Sequence, residues 1–289
     1  MASVKKGAQE LAPIAKRAGL QPKKRLGQYF LVNRRITEKI ITIAGFQPSD
    51  LVLEIGPGLG ALTLPLARSV GHVFAVEKDR HLTSLLEEKL SRAGIANVTL
   101  YNHDILKWDF NEIKKFSSNK ILVIGNLPYN ISSPCLEKLI ENRNSVSRAV
   151  LMFQLEVARR LTASPGRKTY GVLTVLVQYY ARATVLFEVS RGAFFPRPKV
   201  DSMILELDFD KPYPGWKINE TTFKKVVKGA FAHRRKTLLN SLQDFSPSWN
   251  REFLSEVMKE CRIDPARRAE TLDMNEFLCL SFYIDKKRR

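Results

Sequence analysis

Ile121-Leu122-Val123-Ile124 is a run of branched apolar side chains with no polar residue among them. Successive strand residues point to opposite faces, so an unbroken apolar run has to be covered on both sides. That demand is met by a parallel sheet held between helices, the α/β arrangement. The run closes in Gly125-Asn126-Leu127-Pro128-Tyr129-Asn130-Ile131-Ser132. Open α/β sheets take their ligands just past the carboxyl ends of strands, and there this amide, proline and ring fall.

The residues at 126–129 suit one kind of chemistry. The exocyclic amine of a nucleobase is a poor nucleophile because its lone pair is delocalised into the ring. Two acceptors aimed at its two N–H bonds pull it towards a tetrahedral, amine-like geometry. Asn126 offers a side-chain oxygen and Leu127 a backbone carbonyl for that purpose. Pro128, with fixed φ and no N–H, stiffens the loop that aims them. Tyr129 offers a face for a planar base. By themselves the four residues read equally well as a strand-to-helix turn; the other strand ends decide between the readings.

Leu51-Val52-Leu53-Glu54-Ile55 is a second strand pattern, and it runs into Gly56-Pro57-Gly58-Leu59-Gly60 before a helix over 61–68. A glycine turn there lets backbone approach a nucleotide-like ligand. The glycine spacing departs from the dinucleotide pattern, and Pro57 removes an N–H that a pyrophosphate would use. A donor without phosphates, S-adenosylmethionine, fits better. The next strand, 72–76, ends at Glu77, whose carboxylate stands at the offset, ~20 residues on, that serves ribose hydroxyls. Asp79 is placed to cap a helix over 80–93. A strand over 97–101 leads to Asp104, an acceptor for an adenine amino group. Four successive strand ends thus carry Gly56 with Gly58, Glu77, Asp104 and Asn126.

Further strands are expected over 149–154, 184–189 and 202–209, making seven, with helices over 34–44, 132–143, 156–162 and 172–180. Between the last two strands lies Gly192-Ala193-Phe194-Phe195-Pro196-Arg197-Pro198-Lys199, a proline-stiffened loop with rings and cations. Lys211-Pro212-Tyr213-Pro214-Gly215 marks a break, and helical spacing follows over 222–232, 234–242, 249–260 and 274–284. The division expected is a loosely ordered basic extension over 1–22, a catalytic α/β domain over 23–210 and a small all-α domain over 211–289.

Net charge is +18, and its distribution is uneven: net +8 over residues 1–35 and +7 over 211–289, against +3 for everything between. Basic flanks around a nearly neutral centre are the footprint of a polyanion binder. Lys23-Lys24-Arg25 precede Gly27 and the rings of Tyr29 and Phe30, and Arg234-Arg235-Lys236 stand where a helix is expected to start. There they oppose the helix dipole and invite an external anion. The cysteines Cys135, Cys261 and Cys279 are scattered without zinc spacing, and the four histidines form no ligand cluster, so no metal is expected. No apolar run is long enough to span a bilayer and no signal core follows the basic N-terminus, so a cytoplasmic chain is expected.

Taken together, residues 25–31, 54–60, 126–132, 195–202 and 234–238 closely resemble the small-subunit ribosomal RNA adenine dimethyltransferases. The resemblance implies a seven-stranded Rossmann-like methyltransferase fold with S-adenosylmethionine as donor. It implies dimethylation at N6 of two adjacent adenosines near the 3′ end of 16S ribosomal RNA, by a monomer. Carried over by position, the donor-binding residues are Tyr29, Leu31, Gly56, Glu77, Asp104 and Asn126, with Gly58 from the glycine turn. The catalytic set is Asn126, Leu127, Pro128 and Tyr129, with Phe194 facing the target base from the other side. The RNA-binding set is Lys23, Lys24, Arg25, Arg197, Lys199, Arg234, Arg235 and Lys236. Tyr29 is a departure, since the family often has asparagine there; only its backbone or its ring can serve. The alternatives are a 23S ribosomal RNA adenine methyltransferase of the resistance type and a non-catalytic RNA-binding or transcription-factor-like relative.

Overall fold

The computed structural model of the chain describes residues 22–214 and 218–287, so nearly all of the basic N-terminal extension lies outside the described residues. Seven strands form one sheet: β2 (Leu51–Ile55), β3 (His72–Glu77), β4 (Val98–Asn102), β5 (Ile121–Asn126), β6 (Val146–Gln154), β7 (Arg182–Val189) and β9 (Ser202–Asp208). Their order is β4-β3-β2-β5-β6-β9-β7. From β2 the chain winds outward through β3 to β4, then crosses to the other side of β2 to lay down β5. The switch point of the doubly wound sheet therefore falls between β2 and β5, which pair in parallel with Ile55 opposite Gly125. The unbroken apolar runs are explained by burial: Val52, Leu53, Val73, Phe74, Val123 and Ile124 are all fully buried.

Helix positions follow capping chemistry. Helix α1 (Arg34–Ala44) starts where the Asn33 side chain accepts from the Ile36 N–H and stops at Gly45, φ 59°. The glycine turn leads into the short helix α2 (Thr63–Ala67). Asp79 caps α3 (Arg80–Arg92) by accepting from the His81 N–H. Helix α4 (Asn111–Lys114) precedes β5, and α5 (Ser132–Glu141) follows it.

A second, two-stranded antiparallel ribbon joins β1 (Phe30–Leu31) to β8 (Phe194–Phe195), with Leu31 opposite Phe194. It ties the basic arm at 23–31 to the proline-stiffened loop 190–200. The arm is also held at its start, where Lys23 Nζ and Gln28 Nε2 both donate to the Asp79 carboxylate, at 2.8 and 3.0 Å.

The chain divides into two compact units, residues 1–158 with 183–210, and residues 159–182 with 211–289. This differs from a cut at 210. Helix α6 (Leu155–Leu161) leads out of the first unit, and α7 (Val172–Tyr180) belongs with the C-terminal helices. Its Tyr179 ring lies 4.4 Å from the Phe223 ring, centroid to centroid, and the Tyr180 hydroxyl donates to Glu220 at 3.0 Å. The remaining helices of this unit are α8 (Glu220–Ala230), α9 (Leu238–Phe245), α10 (Arg251–Glu260) and α11 (Met274–Lys286). Asn219, Thr237, Asn250 and Asp273 cap them in turn. Cys261 and Cys279, expected to be scattered thiols, are joined by a disulfide, S–S 2.24 Å. Packing of α10 against α11 brings them together, and a separation of 18 residues leaves no local signal of it. Among the described residues no helix is long and apolar enough to cross a membrane.

Candidate active site

A cleft of about 1050 Å³, its open mouth included, lies at the carboxyl ends of β2, β3 and β5. Ten of the eleven expected donor-binding and catalytic residues line it: Tyr29, Leu31, Gly56, Gly58, Glu77, Asp104, Asn126, Leu127, Pro128 and Tyr129.

The glycine turn and Glu77 are built as one piece. Gly58 has φ 55°, and a Cβ there would meet the Phe30 ring at 3.3 Å. Its N–H donates to Glu77 Oε2 at 3.1 Å, while the Asp79 N–H donates to Oε1 at 2.8 Å. The carboxylate is thus fixed by two backbone donors, yet each oxygen keeps a second lone pair for a ligand. Burial pushes the Glu77 acid above the usual carboxylate range, opposed by those backbone hydrogen bonds. Asp104 is held in a similar way, with Lys78 Nζ on Oδ2 at 2.8 Å and the Leu106 N–H on Oδ1 at 3.0 Å. Its partial burial raises its pKa, but these donors outweigh that and hold it below the usual range.

On the neighbouring strand, Gly125 is required by close approach: a Cβ would stand 2.8 Å from the Ile55 carbonyl oxygen. This lets β5 deliver Asn126 beside the glycine turn. The Asn126 side-chain N–H donates to the Tyr29 carbonyl at 2.9 Å. That bond fixes which end of the amide faces the cleft, and the side-chain oxygen has no hydrogen-bond partner among the described residues. The Pro128 carbonyl is used by the Ile131 N–H at 3.0 Å. The Leu127 carbonyl accepts no hydrogen bond among the described residues, so it is the available backbone acceptor. Leu127 itself is buried, which anchors the loop.

Tyr129 is anchored by its hydroxyl, 2.7 Å from the Ser202 hydroxyl oxygen. The ring facing it is Tyr29, at 5.1 Å between centroids and 29° between planes. Phe194, expected to hold the target base opposite Tyr129, is 2% exposed and sits in the main core cluster with Leu31, Met152 and Ile204. Strand alternation puts its neighbour Phe195, which is half-buried, on the other face of the ribbon. In this structure the ring stacked on Tyr129 is thus Tyr29, while Phe194 lies in the core.

In the sequence Glu54 reads only as part of a strand. In the fold it lines the cleft at 1% exposure, its Oε2 has no partner among the described residues, and burial, with the nearby Glu77 charge adding, pushes its acid up to about 8. A single acid within Leu51–Ile55 was the available signal.

The expected RNA contacts divide. Lys23 is paired with Asp79 and pins the arm. Arg25, Arg197 and Lys199 are exposed. Arg234, Arg235 and Lys236 are exposed in the turn before α9 rather than inside its first coil, because Thr237 caps the helix by accepting from the Asn240 N–H. Lys236 pairs with Asp244, and Arg234 donates to the Lys168 carbonyl at 2.6 Å. Among the described residues no group of three or more His, Cys, Asp or Glu is placed to hold a metal ion.

A glycine turn at the switch point, a held carboxylate one strand over and an open Asn126 oxygen beside them define the S-adenosylmethionine-dependent class of methyltransferase. Residues 19–280 match the family model described as ribosomal RNA adenine dimethylase. The chain is 45% identical over 268 residues to ribosomal RNA small subunit methyltransferase A of Desulforapulum autotrophicum, covering 93% of this chain and 94% of that one. It is also similar to the crystal structure of a dimethyladenosine transferase from Plasmodium falciparum, with a TM-score of 0.73, 30% identity, and 89% and 97% of the two chains covered. The 23S rRNA methyltransferase ErmE matches with a TM-score of 0.66, 27% identity, and 89% and 99% covered. The chain belongs to the ribosomal RNA adenine dimethylases, and it is an enzyme of methyl transfer.

Proposed function

We propose that this protein methylates N6 of two adjacent adenosines near the 3′ end of 16S ribosomal RNA, giving N6,N6-dimethyladenosine. The observation that carries the reading is Asn126, which lines the cleft with its N–H bonded to the Tyr29 carbonyl and its side-chain oxygen without a hydrogen-bond partner among the described residues. Identity of 45% over 93% of the chain to a ribosomal RNA small subunit methyltransferase A supports the 16S substrate.

The donor site fits S-adenosylmethionine: Glu77 accepts from ribose hydroxyls, Asp104 from the adenine amine, and the turn at Gly56 and Gly58 gives backbone approach. Bound there, S-adenosylmethionine supplies a methyl group on a sulfonium, a strong electrophile. The chain's own part is to prepare the nucleophile. The Asn126 oxygen and the Leu127 carbonyl accept the two N–H bonds of N6, localising its lone pair. No general base is needed, because the proton is acidic once nitrogen carries four bonds. At the second transfer N6 has one N–H left, so one acceptor suffices and the pocket has to admit a methyl group. Tyr129 stacks on the extruded base. We place the reaction in the cytoplasm and the enzyme as a monomer.

The test is to incubate the protein with methyl-labelled donor and under-methylated small or large ribosomal subunits, and to map the label by nucleotide. Label on two adjacent adenosines near the 3′ end of 16S RNA is expected. Label on 23S RNA, or none on either, overturns the reading.

A further inference from the structure

We propose that the Tyr29 ring is an internal stand-in for the target base: it covers one face of Tyr129 until RNA displaces it, so residue 29 sets the site's affinity for the extruded adenine. This rests on Tyr129 being the base platform. The stack, at 5.1 Å and 29°, occupies a face of Tyr129 on which a planar base would otherwise lie. Tyr29 also lines the donor cleft beside Asn126, where the base has to stand for its amine to reach the Asn126 oxygen.

The two rings are held unequally. Tyr129 is anchored through its hydroxyl to Ser202, which is fully buried at the start of β9. The Tyr29 hydroxyl has no hydrogen-bond partner among the described residues, and the half-buried ring is held by the stack and by packing on the core. Its backbone, in contrast, is fixed: the carbonyl accepts from Asn126, and the next residue, Phe30, pairs with Phe195 across the ribbon. The side chain can therefore turn away about its own bonds while the carbonyl keeps Asn126 aimed. An aromatic pair contributes less than a base stacked on the same ring, so adenine wins the exchange at the cost of the pair. Asparagine, common at this position in the family, has no ring to displace.

The probe is a single-stranded RNA oligonucleotide with 2-aminopurine in place of one adenine, whose emission falls when the base stacks. It is titrated into the full chain and its variants. Tyr29→Ala and Tyr29→Asn should bind it about 2- to 10-fold more tightly than the wild type, the range an aromatic pair converts to. Tyr29→Phe keeps the stack and should match the wild type. In a Tyr129→Ala background, Tyr29→Ala should give no gain. Equal or weaker binding by both Tyr29→Ala and Tyr29→Asn overturns the proposal, as does a gain that survives loss of Tyr129, or an emission that no variant changes. Methyl transfer is measured separately: a wild type that labels no ribosomal RNA fails the functional reading alone, and a titration without gain fails the stand-in alone.

Discussion

Glu77 is the residue whose removal can be worked through furthest. Its carboxylate accepts two backbone N–H groups, from Gly58 at 3.1 Å and Asp79 at 2.8 Å, and it is 8% exposed. Glu77→Ala removes the acceptor for the ribose hydroxyls and for both backbone donors at once. A hydrogen bond to a charged group contributes about 1.5–3 kcal/mol. Two such bonds shared on one carboxylate add less than independently, so a loss near 3 kcal/mol in donor binding is expected, about 100-fold. Leaving two buried N–H groups without acceptors costs stability as well, offset in part because a buried charge is removed; a net loss of about 1–3 kcal/mol follows. Glu77→Gln is the sharper probe. It keeps the shape and one acceptor oxygen, but its NH₂ has to face one of the two backbone donors. Calorimetry with S-adenosylmethionine well below the melting temperature, with a parallel thermal melt, separates the two effects. A folded Glu77→Ala that binds the donor within about threefold of the wild type would refute the assignment.

Asn126→Ala should lower methyl transfer by about 100-fold or more with a far smaller loss of RNA affinity, since one preorganised acceptor is removed; single-turnover rates against RNA binding check this. Phe194→Ala should destabilise the fold by about 3–5 kcal/mol in urea melts, as a buried phenylalanine does, and wild-type stability with slowed turnover would instead return its ring to the base pocket. Replacing Arg25, Arg197, Lys199, Arg234 and Arg235 by glutamine should flatten the dependence of RNA affinity on salt by ~0.7–0.9 in log–log slope for each phosphate no longer neutralised, and unchanged slopes would assign these cations to solvated surface. Glu54, pushed up to about 8, keeps in the folded chain a proton that the unfolded chain loses near 4.5, so its stabilising effect is complete below that pH and is lost as pH rises to about 8. At about 1.4 kcal/mol per unit the ceiling is on the order of 5 kcal/mol. Glu54→Gln should remove that slope from the melting temperature between pH 5 and 8, and parallel profiles for the two proteins would refute it.

Features legible in the sequence were those written locally. Each strand end carries its own functional residue, so Gly56, Glu77, Asp104 and Asn126 could be found one at a time and then joined by the order of a doubly wound sheet. Contacts between distant short segments were hidden. Phe30–Leu31 and Phe194–Phe195 are too short to show a period, and with that ribbon unseen, neither the burial of Phe194 nor the Tyr29 stack followed. Thr237 was a readable cap that moves the start of α9 past the cations, but the charge run drew the boundary earlier. Helix α7 has apolar residues on every side, which announces burial without saying against what.

The way the two units interleave sets the order in which a newly made chain can finish them. Helix α7 leaves the exit tunnel with Val175, Leu176, Val177 and Tyr180 ready for burial, yet α8, which carries Phe223, begins only at Glu220. Over that interval the chain must also deliver β7 and β9, without which the sheet stops at β6. The sheet closes only once Asp208 is out, and α7 waits longer still. Between the emergence of residue 182 and that of residue 223 from the tunnel, α7 is exposed without its Phe223 cover, the stretch of synthesis in which a chaperone or a neighbouring nascent chain is most able to intervene.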